Sequence, residues 1–353
     1  MHVGKRYDIT RPRLQHYRSF TRQLQTPSRL SSLQNTHASM PQPKQQKKMI
    51  ADIVASSEDE AVKIDRIAKV RGWFRPQENS AYYPTVLKYL EGDLDLDAAA
   101  SQLFAQIDQK IIARRLDDVY FVDLWYSIIH AAKRKSFHEA EDDGERNAQF
   151  HAKLVDLVAA FRDHTIKDHE EYNYLYSSLT DFSMTCSEVY NDTPEPYASE
   201  IEIDAWANVN FFFARITERG LQDLSMFAIW SMRTALENEQ LDDVEGTAAE
   251  KYNVYIPAAA SWIFGMGRAL NTKVKDLTPT DQNQGNPARG GDLWKGKPEF
   301  SKERWAFWKE RLAFVSKLDE VSDKTRNISK DAIEAMERAE SFSANENSAS
   351  AGS

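Results

Sequence analysis

The stretch WANVNFFFARITERG, residues 206–220, decides the fold class. Trp206, Val209, Phe212, Phe213 and Ile216 recur at three- and four-residue intervals, so they share one face of a helix, and Gly220 ends the pattern. The same signature continues outward. Met226, Phe227, Trp230, Thr234 and Leu236 mark a second helix, and residues 248–270 a third, which Pro257 is expected to kink or divide. Ser301 reads as the cap of a fourth helix carrying Trp305, Trp308, Leu312, Val315 and Leu318, with Phe300 placed to staple against Trp305. Upstream, Val62, Ile64, Ile67 and Val70 form a helix that stops at Gly72. Gly92 and Asp93 open another, with Leu103, Phe104, Ile107 and Ile111 on one side. Phe121, Leu124, Trp125 and Ile128 begin the next, followed by Phe150, Leu154, Leu157 and Phe161. One tyrosine-rich helix is expected over residues 164–191 and a weak last one over 330–341. The predicted fold is all-α: a single irregular multi-helix bundle or array of aromatic-rich amphipathic helices.

Composition agrees. The chain has 353 residues, 41% of them hydrophobic, with eight Trp but only 13 Gly and 12 Pro, few for a turn-dense β fold. Residues 1–48 hold ten Lys and Arg against one acid, Asp8, a net of +9, which leaves 35 basic and 53 acidic residues, net −18, in 49–353. So acidic a body repels phosphate backbones, which argues against nucleic acid as its partner. The single Cys186 excludes an intrachain disulfide and a cysteine-rich zinc site, and a reducing compartment is the simplest setting. The longest apolar run, IPAAASWIFGMG at 256–267, is short of the roughly 20 residues that a membrane-spanning helix requires.

Three regions are expected: a disordered basic leader over 1–48, an all-helical domain over 49–341, and a disordered polar tail over 342–353. The leader fits a mitochondrial transit peptide, a gene-model extension upstream of Met40 or Met49, or a basic arm for anionic surfaces.

Motifs that carry chemistry are scarce. His169-Glu170-Glu171 resembles the opening of a zinc-protease helix, but the fourth position after His169 is Asn173, so the second ligand is missing. Gly265-Met266-Gly267 lacks the third glycine and the surrounding βαβ unit of a dinucleotide loop, and reads instead as close helix packing. No metal site and no cofactor is expected. The polar groups worth following are Asn208, Arg215, Trp230 and Arg233 on the aromatic helices, and Arg289 and Trp294 on the Gly-rich loop 281–297. Arg215 and Arg233 invite two readings. One is a structural ion pair with Asp204, Asp223 or Glu237; the other is an anion-holding pair at a pocket mouth. The loop has the composition of a lid, and equally of a plain connector.

Four blocks, LEGDLDLDAAASQLF (90–104), WANVNFFFARITERGLQDLSMFAIWSMRTALE (206–237), PAAASWIFGMG (257–267) and WKGKPEFSKERWAFWKERL (294–312), resemble in their order an uncharacterised fungal family catalogued only as a domain of unknown function. The resemblance spans roughly residues 50–320. It implies a mostly helical, intracellular fungal protein, and it brings no catalytic residues with it. The functional expectation is therefore an interaction or scaffold protein without catalytic motifs, whose partner is another protein or a second copy of itself. The alternative is a small-molecule binder or cofactor-independent enzyme with a site between helices near Arg215, Arg233 and loop 281–297. The expected location is cytoplasmic, or mitochondrial if the leader is a transit peptide.

Overall fold

The computed structural model describes residues 43–72, 74, 80–138, 144–281, 283 and 285–350. The three readings of the leader fall almost wholly on residues outside this set. By its contacts the chain divides into Met1–Gln45 and Gln46–Ser353. Of the first unit only residues 43–45 are described, as helix, and all other described residues belong to the second.

The described residues form an all-α array: α1 (Pro43–Val54), α2 (Glu60–Arg71), α3 (Tyr83–Glu91), α4 (Leu96–Ile112), α5 (Phe121–Lys133), α6 (Gly144–Asp163), α7 (Tyr174–Ser177), α8 (Phe182–Tyr190), α9 (Glu200–Glu218), α10 (Ser225–Met232), α11 (Ala248–Thr272), α12 (Lys302–Val315) and α13 (Asp323–Ser350). Capping follows local chemistry. Ser199 and Thr247 each form a reciprocal box with a glutamate three residues on, and Ser301 accepts from the Arg304 amide. Gly72 and Gly92 close α2 and α3 in the left-handed region. Gly92 thus ends a helix rather than opening one, and α4 is capped by Asp95, whose carboxylate accepts from the Ala98 amide at 2.8 Å.

Helix α9 is the axis of the array. It packs against α2, α5, α6, α8, α10 and α11, and every residue from Ala205 to Ala214 is buried. The aromatic stripe read from the sequence is therefore only part of a helix enclosed all round. Its interior amide, Asn210, is satisfied within the core: Nδ2 donates to the Trp206 carbonyl at 3.0 Å, while Oδ1 accepts from Trp262 Nε1 at 3.0 Å and Ser231 Oγ at 3.2 Å. A second group of rings fills the space between α4, α5, α6 and α8, where Trp125 meets Phe161 and Phe182 edge-on at 4.6 and 4.8 Å between centroids. Ile50, Ile53, Ile67 and Val70 of α1 and α2 make a separate small apolar cluster.

Three expectations need correction. The tyrosine-rich stretch is not one helix: positive φ at Asp168, Leu179 and Asp181 breaks it into a 3-10 turn, α7 and α8. The breaks let Tyr176 reach Asp108 at 2.6 Å on one side and Tyr190 stack on Phe227 at 4.5 Å on the other. Pro257 does not divide α11, which stays helical there between α9 and α13; the departure is at Met266, φ −147° and ψ 28°. The last helix is longer than 330–341, its backbone running from Asp323 to Ser350.

The GMG segment does mark close packing. A Cβ built on Gly265 would lie 2.5 Å from the Ala214 Cβ and 3.4 Å from the Phe211 carbonyl oxygen, so α9 and α11 meet backbone to backbone there. Gly265→Val is expected to lower stability by about 1–3 kcal/mol through overpacking, read as a lower urea midpoint with an unchanged slope.

Candidate functional site

Helix α10 ends in one turn of π-helix, Arg233–Glu237, which carries Glu237 into the protein interior. There it meets Arg304 of α12, and both side chains are fully buried (0% exposed each). The pair is bidentate, with Arg304 Nε donating to Oε1 at 2.7 Å and Nη2 to Oε2 at 2.9 Å. Trp308, one helical turn beyond Arg304, donates its indole N–H to Oε1 at 2.6 Å, and the Gly291 amide donates to Oε2 at 3.1 Å. Arg304 Nη1 also donates to the carbonyls of Ala288 and Glu299, at 3.1 and 3.0 Å.

These bonds turn loop 281–297 into a strap. Its base is clamped by a two-stranded antiparallel ladder, β1 (Lys275–Asp276) with β2 (Glu299–Phe300). Its middle lies on the π turn, where the Leu293 amide donates to the Glu237 carbonyl at 2.7 Å. A Cβ on Gly291 would sit 2.5 Å from that same carbonyl oxygen, so glycine is required for the approach.

Four of the six residues singled out in the sequence gather on this strap. Trp230 Nε1 donates to the Pro287 carbonyl at 2.9 Å, and Arg233 Nη1 donates to the carbonyls of Pro287 and Arg289 at 3.0 and 3.1 Å. Trp294 packs on Phe307 at 5.4 Å and donates to the Lys297 carbonyl. Asn208 and Arg215 lie elsewhere. Asn208 is buried in α9, accepting from the Phe137 amide and donating to the Lys133 carbonyl. Arg215 donates to the Gly265 carbonyl at 3.2 Å and pairs with Glu218 at 3.3 Å. The acids considered as partners go to other cations: Asp204 to Lys324, Asp223 to Lys273 and Glu237 to Arg304.

Arg304 is the organising residue that the sequence expectation lacks. Its signal lies in the spacing, because Arg304, Trp308, Leu312 and Val315 share one face of α12, and a cation on an apolar stripe requires a buried acceptor. With Glu237 saturated, Arg233 and Arg289 have no carboxylate partner among the described residues. Burial, followed by repulsion from Arg289, holds the Arg233 guanidinium below its ordinary pKa.

A second polar region lies between α2, α5 and α9. Asp65 accepts from the Tyr83 hydroxyl and is bonded to His130 Nε2, both at 2.8 Å and all buried. Burial is the main force pulling His130 down to about 4, against the opposing pull of Asp65; His151, bonded to the Lys135 carbonyl, is likewise brought to about 4 by burial. Beside this network a cleft of about 200 Å³ is lined by Lys133, Arg71, Asp192 and Glu202 over an apolar floor that includes Ile67 and Trp206. Elsewhere, His164 is held by Asp108, His169 lies 3.8 Å from Glu171, and the buried Cys186 thiol is pushed up by burial. Among the described residues no group of three or more His, Cys, Asp or Glu is arranged to hold a metal ion, and no helix is long and apolar enough to cross a membrane.

An enclosed central helix and a loop strapped down by a buried ion pair define the class, an all-α helical array. The chain belongs to the family described as Protein of unknown function (DUF3632), whose family model matches residues 125–312, from Trp125 in α5 to Leu312 in α12. Three of the four resembling blocks fall inside that match, as do Lys133, Glu237 and Arg304, while block 90–104 falls outside it. No curated protein and no solved structure matches the chain.

Breaking the ion pair from one side, by Glu237→Gln or Arg304→Met, is expected to cost about 3–5 kcal/mol, whereas Glu237→Leu with Arg304→Met together cost less than either alone. Urea denaturation of the three variants checks this, and loop 281–297 becomes the first site of proteolysis in the single variants. The buried histidines add a pH dependence. Their folded pKa lies below the ordinary 6.5, so their contribution is complete above pH 6.5 and declines as pH falls toward about 4. His130→Gln and His151→Gln should each flatten that decline in a stability profile from pH 7 to 4.

Proposed function

We propose that the protein is an interaction or scaffold module that docks an anionic group of a protein partner on Arg233 and Arg289. The observation carrying this reading is that Arg233 of the π turn and Arg289 of the strap lie close together, with no carboxylate paired to either among the described residues. Arg289 is exposed and Arg233 is half-buried, held by two carbonyls through one nitrogen only. A guanidinium fixed in this way has lost side-chain freedom before any partner arrives, which lowers the entropic cost of docking. Positive charge at this rim also stands out against a body of net charge −18, so it steers an acidic segment to one place.

The strap speaks against a concealed small-molecule pocket here. Trp230, Trp294 and Arg304 have their N–H groups on the chain's own acceptors, and Gly291 lies in contact with the π turn. What stays open is surface, which suits a macromolecule better than an enclosed ligand. The single buried thiol of Cys186 suits a reducing, cytoplasmic setting.

Full-length protein carrying Arg233→Gln and Arg289→Glu tests the reading, since glutamine keeps an N–H donor for the strap carbonyls. The wild type should retain a defined partner from native lysate at 50 mM salt and lose most of it at 200 mM. The double variant should lose it at both, with a thermal midpoint within about 2 °C of wild type, as for surface substitutions. Equal retention by the two proteins would sink the proposal. So would a native mass spectrum showing the wild type as a monomer with a retained small molecule and no protein partner.

A further inference from the structure

Residues 239–245, EQLDDVE, hold four acids and no base, and they follow closely on the π turn that carries Arg233. Gln240 Nε2 donates to the Thr234 carbonyl at 2.7 Å, so this acidic turn and Arg233 leave the same short stretch of backbone. The turn is tied down. Asp243 and Gly246 form an isolated bridge, and the Asp242 carboxylate accepts from the Ala248 amide at 2.8 Å. Lys251 pairs with Asp243 at 2.6 Å and donates to the Leu241 carbonyl at 2.8 Å. A Cβ on Gly246 would lie 2.8 Å from the Pro196 Cβ, so the turn also rests against the segment that precedes α9.

What the turn presents is not used by its own chain. Glu239 and Glu245 are exposed, and neither carboxylate makes a hydrogen bond or ion pair among the described residues. Leu241 is 59% exposed and Val244 entirely so. The arginines of the same chain do not meet these acids. The groups acting on Arg233 are Arg289, Glu237, Tyr190 and Arg304, and no acid of the turn is among them. An ordered turn that offers free carboxylates around two bare aliphatic side chains is prepared for association, because its backbone freedom is already lost on folding.

Cations without a carboxylate and carboxylates without a cation thus branch from one π turn. A two-fold axis beside that turn sets the arginines of each copy against the acids of the other, so every contact is made twice. Trp230, half-buried, and Pro287, exposed, flank the arginines and leave apolar surface next to them. We propose that the protein forms a two-fold dimer in which turn 239–245 of each copy docks on Arg233 and Arg289 of the other, with Val244 against Trp230 and Pro287. This rests on the reading of the two arginines as a docking site for an anionic protein group, and it names that group.

Sedimentation of the full-length protein at low and high salt tests this, with one variant on each side of the contact. The first carries Arg233→Gln and Arg289→Glu. The second carries Glu239→Lys and Glu245→Lys, which leaves the hydrogen-bonded Asp242 and Asp243 in place. The wild type should be a dimer at low salt that weakens as salt rises. Each variant alone sets like charge against like and should weaken association at least about tenfold, with a thermal midpoint within about 2 °C of wild type. Mixed in equal amounts, the two variants should dimerise again, because the charges across each contact are then opposite; a folding defect gives no such recovery. The proposal is overturned if the wild type is monomeric, if the acidic-turn variant dimerises as well as wild type, or if the mixed variants stay apart. A monomeric wild type that holds another protein through Arg233 and Arg289 removes the second copy alone, whereas an arginine variant that keeps every partner removes the docking site itself.

Discussion

Everything around the strap depends on one buried ion pair, Glu237 with Arg304. Two charges taken fully out of water lose several kcal/mol of hydration each, and their mutual attraction recovers this only when the remaining hydrogen-bonding sites are filled. Here they are filled by Trp308, by the Gly291 amide and by the carbonyls of Ala288 and Glu299. The pair and its partners come from three segments: the π turn, the loop with its flanking strand β2, and α12. The requirement to satisfy both charges therefore dictates where the loop lies, and through it where Trp230, Arg233, Arg289 and Trp294 are presented. Replacing such a pair by well-packed apolar side chains is often neutral or stabilising, so its presence is weak evidence of net stability.

The main core is governed by enclosure of α9. Aromatic rings pack against it, and the buried amides of Asn208 and Asn210 are matched by neighbours within the core. A filled interior leaves recognition to the rim. Arg289 of the strap is exposed, and Arg233 is half-buried next to it.

Much of the fold was legible in the sequence because burial and helical period act locally. The stripes over 121–133, 206–216 and 305–315 lie within α5, α9 and α12, and Ser301 caps α12 as its sequence context requires. Local reading fails where tertiary contacts override local preference. Pro257 stays within helical backbone in α11, which packs against α9 and α13, and the tyrosine-rich stretch is divided, with Tyr176 on Asp108 and Tyr190 on Phe227. The candidate site was half legible. Trp230, Arg233, Arg289 and Trp294 do meet, but Arg304, which organises them, stands in the sequence among Lys302, Glu303, Lys309 and Glu310; its place on the stripe of Trp308, Leu312 and Val315 marks it for burial, while nothing local names its acceptor, Glu237, 67 residues away.

Sequence alone determined the helical class, most of the helix cores and the glycine at the α9–α11 crossing, since each rests on side-chain period or backbone sterics within a few residues. Only tertiary structure decided which charges are paired. Glu237 and Arg304 are 67 residues apart, and Lys133 and Asp192 are 59. A charge reports its own type in the sequence, but whether it is buried, saturated or exposed depends on the groups that folding brings around it.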